Sequence, residues 1–127
     1  MKTGLMGAAL AGLMWSGAAM AADPSFDGNE LLGQCQIYIK LVDGGTARND
    51  AHYDAGECGG FVLGVARSTA LYGEFIPIKL KFCTPDTVTN SQLVRIVVKY
   101  LKDNPKTLSD NRTVLVWRAL LDAYPCK

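Results

Sequence analysis

Four cysteines are the residues whose types and spacing offer the clearest chemistry. They stand at Cys35, Cys58, Cys83 and Cys126. None belongs to a C-x-x-C pair, the short motif that zinc sites and redox-active dithiols use. An even number of cysteines in a small chain favours structural disulfides if that chain reaches an oxidising compartment. We therefore predict two disulfide bridges and no metal site.

His52 is the other candidate for chemistry, since the chain contains one histidine. It lies in a polar stretch with Asp50, Asp54 and Glu57 close by in the sequence. Carboxylates are favoured at the start of a helix by the helix dipole, so these acids indicate a helix start around a solvated histidine. Neither a phosphate-binding loop nor a G-x-S-x-G motif is present, and bridged cysteines cannot act as nucleophiles. We predict that the chain is not an enzyme and needs no cofactor.

Two elements must position the first two cysteines, and the four cysteines together could pair within the chain in three ways. Apolar residues at helical spacing begin after Asp27 and stop at Asp43-Gly44-Gly45, and a second helical stripe includes Cys58. Cys35 precedes the end of the first helix by about as much as Cys58 follows the start of the second. In an antiparallel hairpin these positions are level, which favours a Cys35–Cys58 bridge.

The second half of the chain repeats this arrangement. Thr89 and Gln92 form a capping box that predicts the start of a third helix. That helix is expected to end at Asn104, because the residue before a proline is disfavoured in helices. A fourth apolar stripe, in which Trp117 is expected to be a core residue, stops before Cys126. Cys83 and Cys126 then lie at the same end of a second hairpin, which favours a bridge between them.

An apolar segment with alternating polarity links the two hairpins. Ile76, Ile78, Leu80 and Phe82 recur with the period of a strand, and Pro77 would confine a strand to an edge. We interpret it as an extended crossover that packs one face on the helices; the alternative is a short strand exposed for a partner. The predicted fold is therefore all-α, with four main helices in two antiparallel hairpins, each stapled by a disulfide.

Glycines interrupt the second helix at a cost to its intrinsic stability. The expected reason is close helix–helix approach around the first disulfide. They are Gly56, Gly59, Gly60 and Gly64.

A basic side of the third helix lies opposite its apolar stripe. Such a face is often only solvated, but it is also the most exposed charged feature that a partner could contact. The predicted partner-binding surface comprises Arg95, Lys99, Lys102, Asp103, Asn104, Lys106 and Thr107.

The N-terminus has the pattern of a secretory signal peptide over residues 1–21. Lys2 precedes an apolar run, and Ala19-Met20-Ala21 gives a small-x-small cleavage pattern, although a retained anchor is the alternative. Residues 22–127 are then expected to form one exported domain without a membrane span. Removing Lys2 leaves equal numbers of acidic and basic side chains, which argues against nucleic acid as the partner.

The sequence also resembles a known family. The segments FCTPDTVTNSQLVRIVVKYLKDNP (residues 82–105) and ALLDAYPC (residues 119–126) are similar to the Tai-type immunity proteins paired with type VI secretion amidase effectors. Residues 58–64 match a Cys-Gly-x-aromatic-x-x-Gly motif of the same family. The segment 75–82 is more apolar than the family pattern, and the loop 43–56 has no match in it.

The resemblance implies a function in the Gram-negative periplasm. A member would bind a peptidoglycan-cleaving cysteine amidase, occlude its active-site groove and so protect the producing cell, and it could act as a homodimer. The unmatched loops are the parts that would carry partner specificity. The alternative function is a periplasmic stress chaperone or a general helical protein-binding module, which the chain's size and disulfides also fit.

Overall fold

Four α-helices make up most of the chain between residues 26 and 127, the part that the computed structural model describes. They are α1 (Gly28–Val42), α2 (Ala51–Tyr72), α3 (Asn90–Asp103) and α4 (Arg112–Ala123). Short 3-10 helices occur at Ile78–Leu80 and Pro105–Thr107, and this part of the chain contains isolated β-bridges but no strand. The all-α prediction is confirmed. The predicted signal peptide lies outside the described residues.

Side-chain caps fix where three of these helices begin. Asp27 accepts hydrogen bonds from the backbone of Asn29 and Glu30 at the start of α1, and Asn111 accepts one from Thr113 at the start of α4. Thr89 and the side chain of Gln92 bond each other's backbone at the start of α3, which confirms the predicted capping box.

The end of α1 also matches its prediction. Gly44 has a φ of 82°, the left-handed conformation that glycine adopts without strain after a helix.

Between residues 26 and 127, none of the helices combines the length and the apolar character that crossing a membrane would require.

The four helices share one core. Helix α1 packs mainly on α2, but it also packs on α3 about as extensively as α3 packs on α4. The two hairpins are therefore held together by a continuous apolar interior. Its largest fully buried side chains include Leu31, Val62, Phe82, Val94, Val97, Leu101, Leu115, Val116 and Leu120.

Both predicted disulfides are confirmed. Cys35–Cys58 joins α1 to α2 across a Cα–Cα distance of 5.2 Å, and both cysteines are fully buried. Cys83–Cys126 joins the crossover to the segment after α4 across 5.0 Å, and Cys83 is exposed. One staple therefore lies inside the core and the other at the surface.

The crossover differs from the predicted alternation in one respect. Pro77 and Lys81 are extended, but a 3-10 helix lies between them, closed by a hydrogen bond from Leu80 N to Pro77 O. A 3-10 helix has three residues per turn, so it breaks a period of two. Of the apolar face that was expected to pack, Phe82 is fully buried and Ile76 is partly buried, whereas Ile78 and Leu80 are each more than half exposed.

The glycines of α2 also depart from their prediction. A Cβ at Gly59 would lie 2.9 Å from the Tyr38 ring, so this glycine does allow α1 and α2 to approach closely. Gly56, Gly60 and Gly64 have no neighbour within 4 Å of such a Cβ and are exposed. The prediction was wrong for these three, because they lie on the outer side of α2.

The difference in burial between the disulfides predicts the order in which they are reduced. At a low concentration of dithiothreitol in native buffer, Cys83–Cys126 is expected to be reduced first. The reason is that Cys83 is exposed to an attacking thiolate, whereas Cys35 and Cys58 are fully buried. Alkylation of quenched samples followed by peptide mass spectrometry measures the order. The preference should vanish in denaturant, and simultaneous reduction in native buffer would contradict the assignment.

Candidate functional site

Helix α3 carries the predicted partner-binding surface on its outer side. Arg95, Lys99 and Lys102 are exposed, whereas Val94, Val97 and Leu101 on the opposite side are buried. Lys106 and Thr107 follow in the 3-10 helix after α3. The three basic residues are therefore exposed, as the prediction requires. The role of this surface in binding stays a prediction.

Part of this surface borders a groove between α3 and α4. The groove has a volume of about 630 Å³, and three predicted residues contribute to its walls. Its lining comprises Ile96, Lys99, Tyr100, Asp103, Asn104, Ala119, Asp122 and Ala123. Arg95, Lys102, Lys106 and Thr107 lie outside the lining, so the structure brings together only some of the predicted set.

Two of the predicted cations already have partners within the chain. Arg95 forms a salt bridge with Asp43 at the end of α1. Lys99 Nζ lies 2.5 Å from Asp103 Oδ2 one turn along α3, and this hydrogen bond, assisted by the carboxylate charge, raises the pKa of Lys99. Lys102 and Lys106 form no ion pair with residues 26–127. Exposed pairs contribute little to stability, so a partner could replace them at small cost.

The acids near His52 are not gathered into a catalytic cluster. His52 is exposed, Asp50 pairs with Arg48, and Glu57 points into the bundle. No group of three or more His, Cys, Asp or Glu side chains within residues 26–127 is arranged to hold a metal ion.

Glu57 belongs to a buried polar cluster that the sequence did not reveal. Arg112 Nη2 lies 3.2 Å from Glu57 Oε1, and Gln34 Nε2 donates to Glu57 Oε2 at 2.9 Å. The guanidinium also lies over the rings of Phe26, at 4.3 Å, and Phe61, at 4.6 Å. The Arg112 side chain is only 5% exposed, so a full charge is enclosed here. This cluster joins α1, α2 and α4 to the residues before α1.

An apolar groove lies on the other side of α4, against the crossover. It has a volume of about 540 Å³ and is lined by Leu80, Thr113, Val114, Trp117, Arg118 and Leu121. Trp117 Nε1 donates a hydrogen bond to Leu80 O at 2.9 Å. The predicted core residue Trp117 is thus only half-buried, with one side on the core and the other in this groove. The spacing of α4 gave no signal of the groove, because its second wall comes from the crossover.

The Arg112 cluster predicts a marked difference between two arginines of α4. Arg112→Ala is expected to lower the free energy of unfolding by about 3 kcal/mol, because Glu57 loses its partner in a largely enclosed site. Arg118→Ala, the matched control, removes a half-exposed pair with Asp110 and should cost less than about 1 kcal/mol. Urea denaturation at pH 7 measures both, and equal losses would contradict a structural role for Arg112.

One comparison with known proteins assigns the chain. The family model for Rap1a immunity proteins matches residues 27–126, a range that includes all four helices and both disulfides. No curated protein and no solved structure is significantly similar to the chain. Since the match covers most of the sequence, this chain belongs to the Rap1a immunity protein family.

Proposed function

We propose that this chain is a periplasmic immunity protein that binds a type VI secretion effector and inhibits its peptidoglycan amidase activity. The observation that carries the proposal is the family match across residues 27–126, which agrees with the resemblance of the segments 82–105 and 119–126 to amidase-immunity proteins. The signal-peptide pattern of residues 1–21 and the two disulfides support the periplasm, where disulfides form and persist.

The architecture suits tight inhibition by binding. The two disulfides, the buried Arg112 cluster and the shared apolar core hold the four helices together, so little conformational freedom remains to be lost on association. An inhibitor that occludes an active site needs such a fixed surface, and it needs no reactive group of its own.

The proposal predicts protection against a cell-wall amidase encoded beside this gene. When that amidase is directed to the periplasm of a sensitive host, co-expression of the full chain should restore growth. The purified domain, residues 22–127, should block peptidoglycan cleavage and bind with a dissociation constant in the nanomolar range or below. Both effects are expected because a rigid binder can occlude the active site stoichiometrically.

A chain without residues 2–21 is the control for location, and it should bind in solution but fail to protect cells. Protection against a neighbouring effector of another class would remove the amidase assignment and retain the immunity function. Failure to bind any neighbouring effector would remove both.

The α3 surface gives a second prediction, because Lys102 and Lys106 lack ion pairs within residues 26–127 and would attract an acidic partner. Arg95→Glu/Lys99→Glu reverses the charge of the same face and should weaken effector binding about tenfold, mainly through slower association at low salt. Surface plasmon resonance at two salt concentrations measures this.

The matched control is Arg48→Glu/Arg67→Glu, an equal charge reversal at exposed positions before and within α2. Circular dichroism of both double variants checks folding, since the first one also breaks the surface pairs of Arg95 and Lys99. Unchanged affinity of the α3 variant would exclude that face as a contact surface.

A further inference from the structure

Exposed apolar side chains are concentrated on one stretch of the chain. Between residues 26 and 127, most of the large hydrophobic residues left exposed lie at the end of α2, on the crossover or on the α4 side of the apolar groove. They are Leu71, Tyr72, Phe75, Ile78, Leu80 and Val114. Monomeric proteins seldom expose such groups together unless the surface binds something. We call residues 71–80 and the groove lining the crossover surface.

The groove gives this surface a concave centre. Leu80, 55% exposed, and Val114, 43% exposed, line the groove together with Trp117 and Leu121. Its volume of about 540 Å³ lies within the range of pockets that accept apolar groups. Binding energy at protein interfaces is concentrated in such desolvated pockets, surrounded by a polar rim.

The crossover is held in place, so its exposed side chains are not those of a loose loop. Trp117 donates to Leu80 O, and the Phe82 ring meets the Trp117 ring edge to face with centroids 4.7 Å apart. Directly after Phe82, the Cys83–Cys126 disulfide and a hydrogen bond from Cys126 N to Lys81 O at 3.2 Å tie the crossover to the chain after α4. A surface fixed in this way loses little entropy when it binds.

The crossover beside the groove is basic. Lys79 and Lys81 flank Leu80 in the chain, and neither forms an ion pair with residues 26–127. Arg118 lines the groove and is paired with Asp110. Glu74 is the acid of the segment 71–81. The complementary occupant is therefore an apolar side chain with carboxylates beside it.

We propose that the crossover surface is where the effector docks, with an apolar side chain of the effector in the groove and its carboxylates facing Lys79 and Lys81. This inference rests on the proposed function, which supplies a protein partner. It adds an apolar contact surface to the polar side of α3, whose charges are tested separately by the Arg95→Glu/Lys99→Glu variant.

Two other occupants fit the surface less well. A membrane surface is broad and would not enter a groove between α4 and the crossover. A second copy of this chain bound with two-fold symmetry would place the same patch against itself. Lys79 and Lys81 would then face the same two lysines of the other copy, and Glu74 alone would offset their repulsion within the segment 71–81.

The test measures the affinity of the purified domain for the effector that the wild-type chain neutralises. Leu80→Asp and Val114→Asp each place a carboxylate on the groove, where it would be desolvated and would repel the acidic partner. Each is expected to weaken binding about 30-fold or more. Tyr53→Asp is the matched control, because Tyr53 is 75% exposed on α2, outside the crossover surface. It should change affinity less than about threefold.

A fourth variant changes the charge of the surface with a substitution that should not disturb folding. Lys79→Glu alters an exposed side chain and should slow association about fivefold at low salt, with the difference lost at high salt. Circular dichroism and thermal unfolding of every variant show whether the helices remain. Wild-type affinity for all three crossover variants, or an equal loss with Tyr53→Asp, would overturn the inference and leave the proposed function standing.

The remaining outcomes are also decisive. If the wild-type chain binds no effector, the proposed function fails and this inference fails with it. If Leu80→Asp and Val114→Asp abolish sedimentation with phosphatidylglycerol vesicles, or dissociate a wild-type dimer in light scattering, without changing effector affinity, the surface has another occupant and the inference is wrong.

Discussion

The Cys83–Cys126 disulfide is the constraint on which the position of the crossover depends. It fixes the crossover against the end of α4, and backbone hydrogen bonds from Cys83 N to Tyr124 O and from Cys126 N to Lys81 O extend the contact on both sides. Phe82 is thereby held in the core and Leu80 at the surface. Besides this tie, the Trp117 hydrogen bond to Leu80 O and the buried Phe82 ring hold the crossover in position.

The arrangement of α1, α2 and α4 depends on two different kinds of restraint. Cys35–Cys58 joins α1 to α2 covalently, and the Arg112 cluster joins those two helices to α4. On the chain-entropy argument, loops of this size are worth about 3 to 4 kcal/mol per bridge, a large share of the 5 to 15 kcal/mol typical of a domain. The buried ion pair is weaker evidence of stability, because desolvation offsets much of its attraction. Its clearer effect is to fix Phe26, whose ring stacks on Arg112 and whose carbonyl accepts from Arg112 N.

The features predicted correctly from the sequence are those that depend on near neighbours. Thr89 and Gln92 lie three residues apart, and their capping box forms whatever the rest of the chain does. The pairing of Cys35 with Cys58 follows from their level positions in a hairpin. The exposure of Arg95, Lys99 and Lys102 follows from the helical period of α3.

The features that the sequence did not predict depend on which distant part of the chain packs against them. Arginine is rarely buried, so nothing in the sequence around Arg112 indicates that Phe26, before α1, and Glu57 and Phe61, on α2, enclose it. Likewise, the role of Gly59 depends on Tyr38, whereas Gly60 beside it faces open space. The apolar groove needs Leu80 from the crossover to meet α4, a long-range contact that periodicity within one helix cannot show.

If the effector binds at the proposed surfaces, recognition lies on different parts of this fold from those that stabilise it. The Cys35–Cys58 disulfide and Arg112 are almost completely buried, so they offer few atoms to a partner. On the polar side of α3 and on the crossover surface, side chains are exposed but the backbone is held by capping, by Trp117 and by the second disulfide. This separation lets surface residues change with the partner while the core stays intact, since exposed substitutions usually alter stability by less than about 0.5 kcal/mol. A family that must follow changing effectors would need such a separation, because each new contact must be made without loss of the rigid frame that makes binding tight.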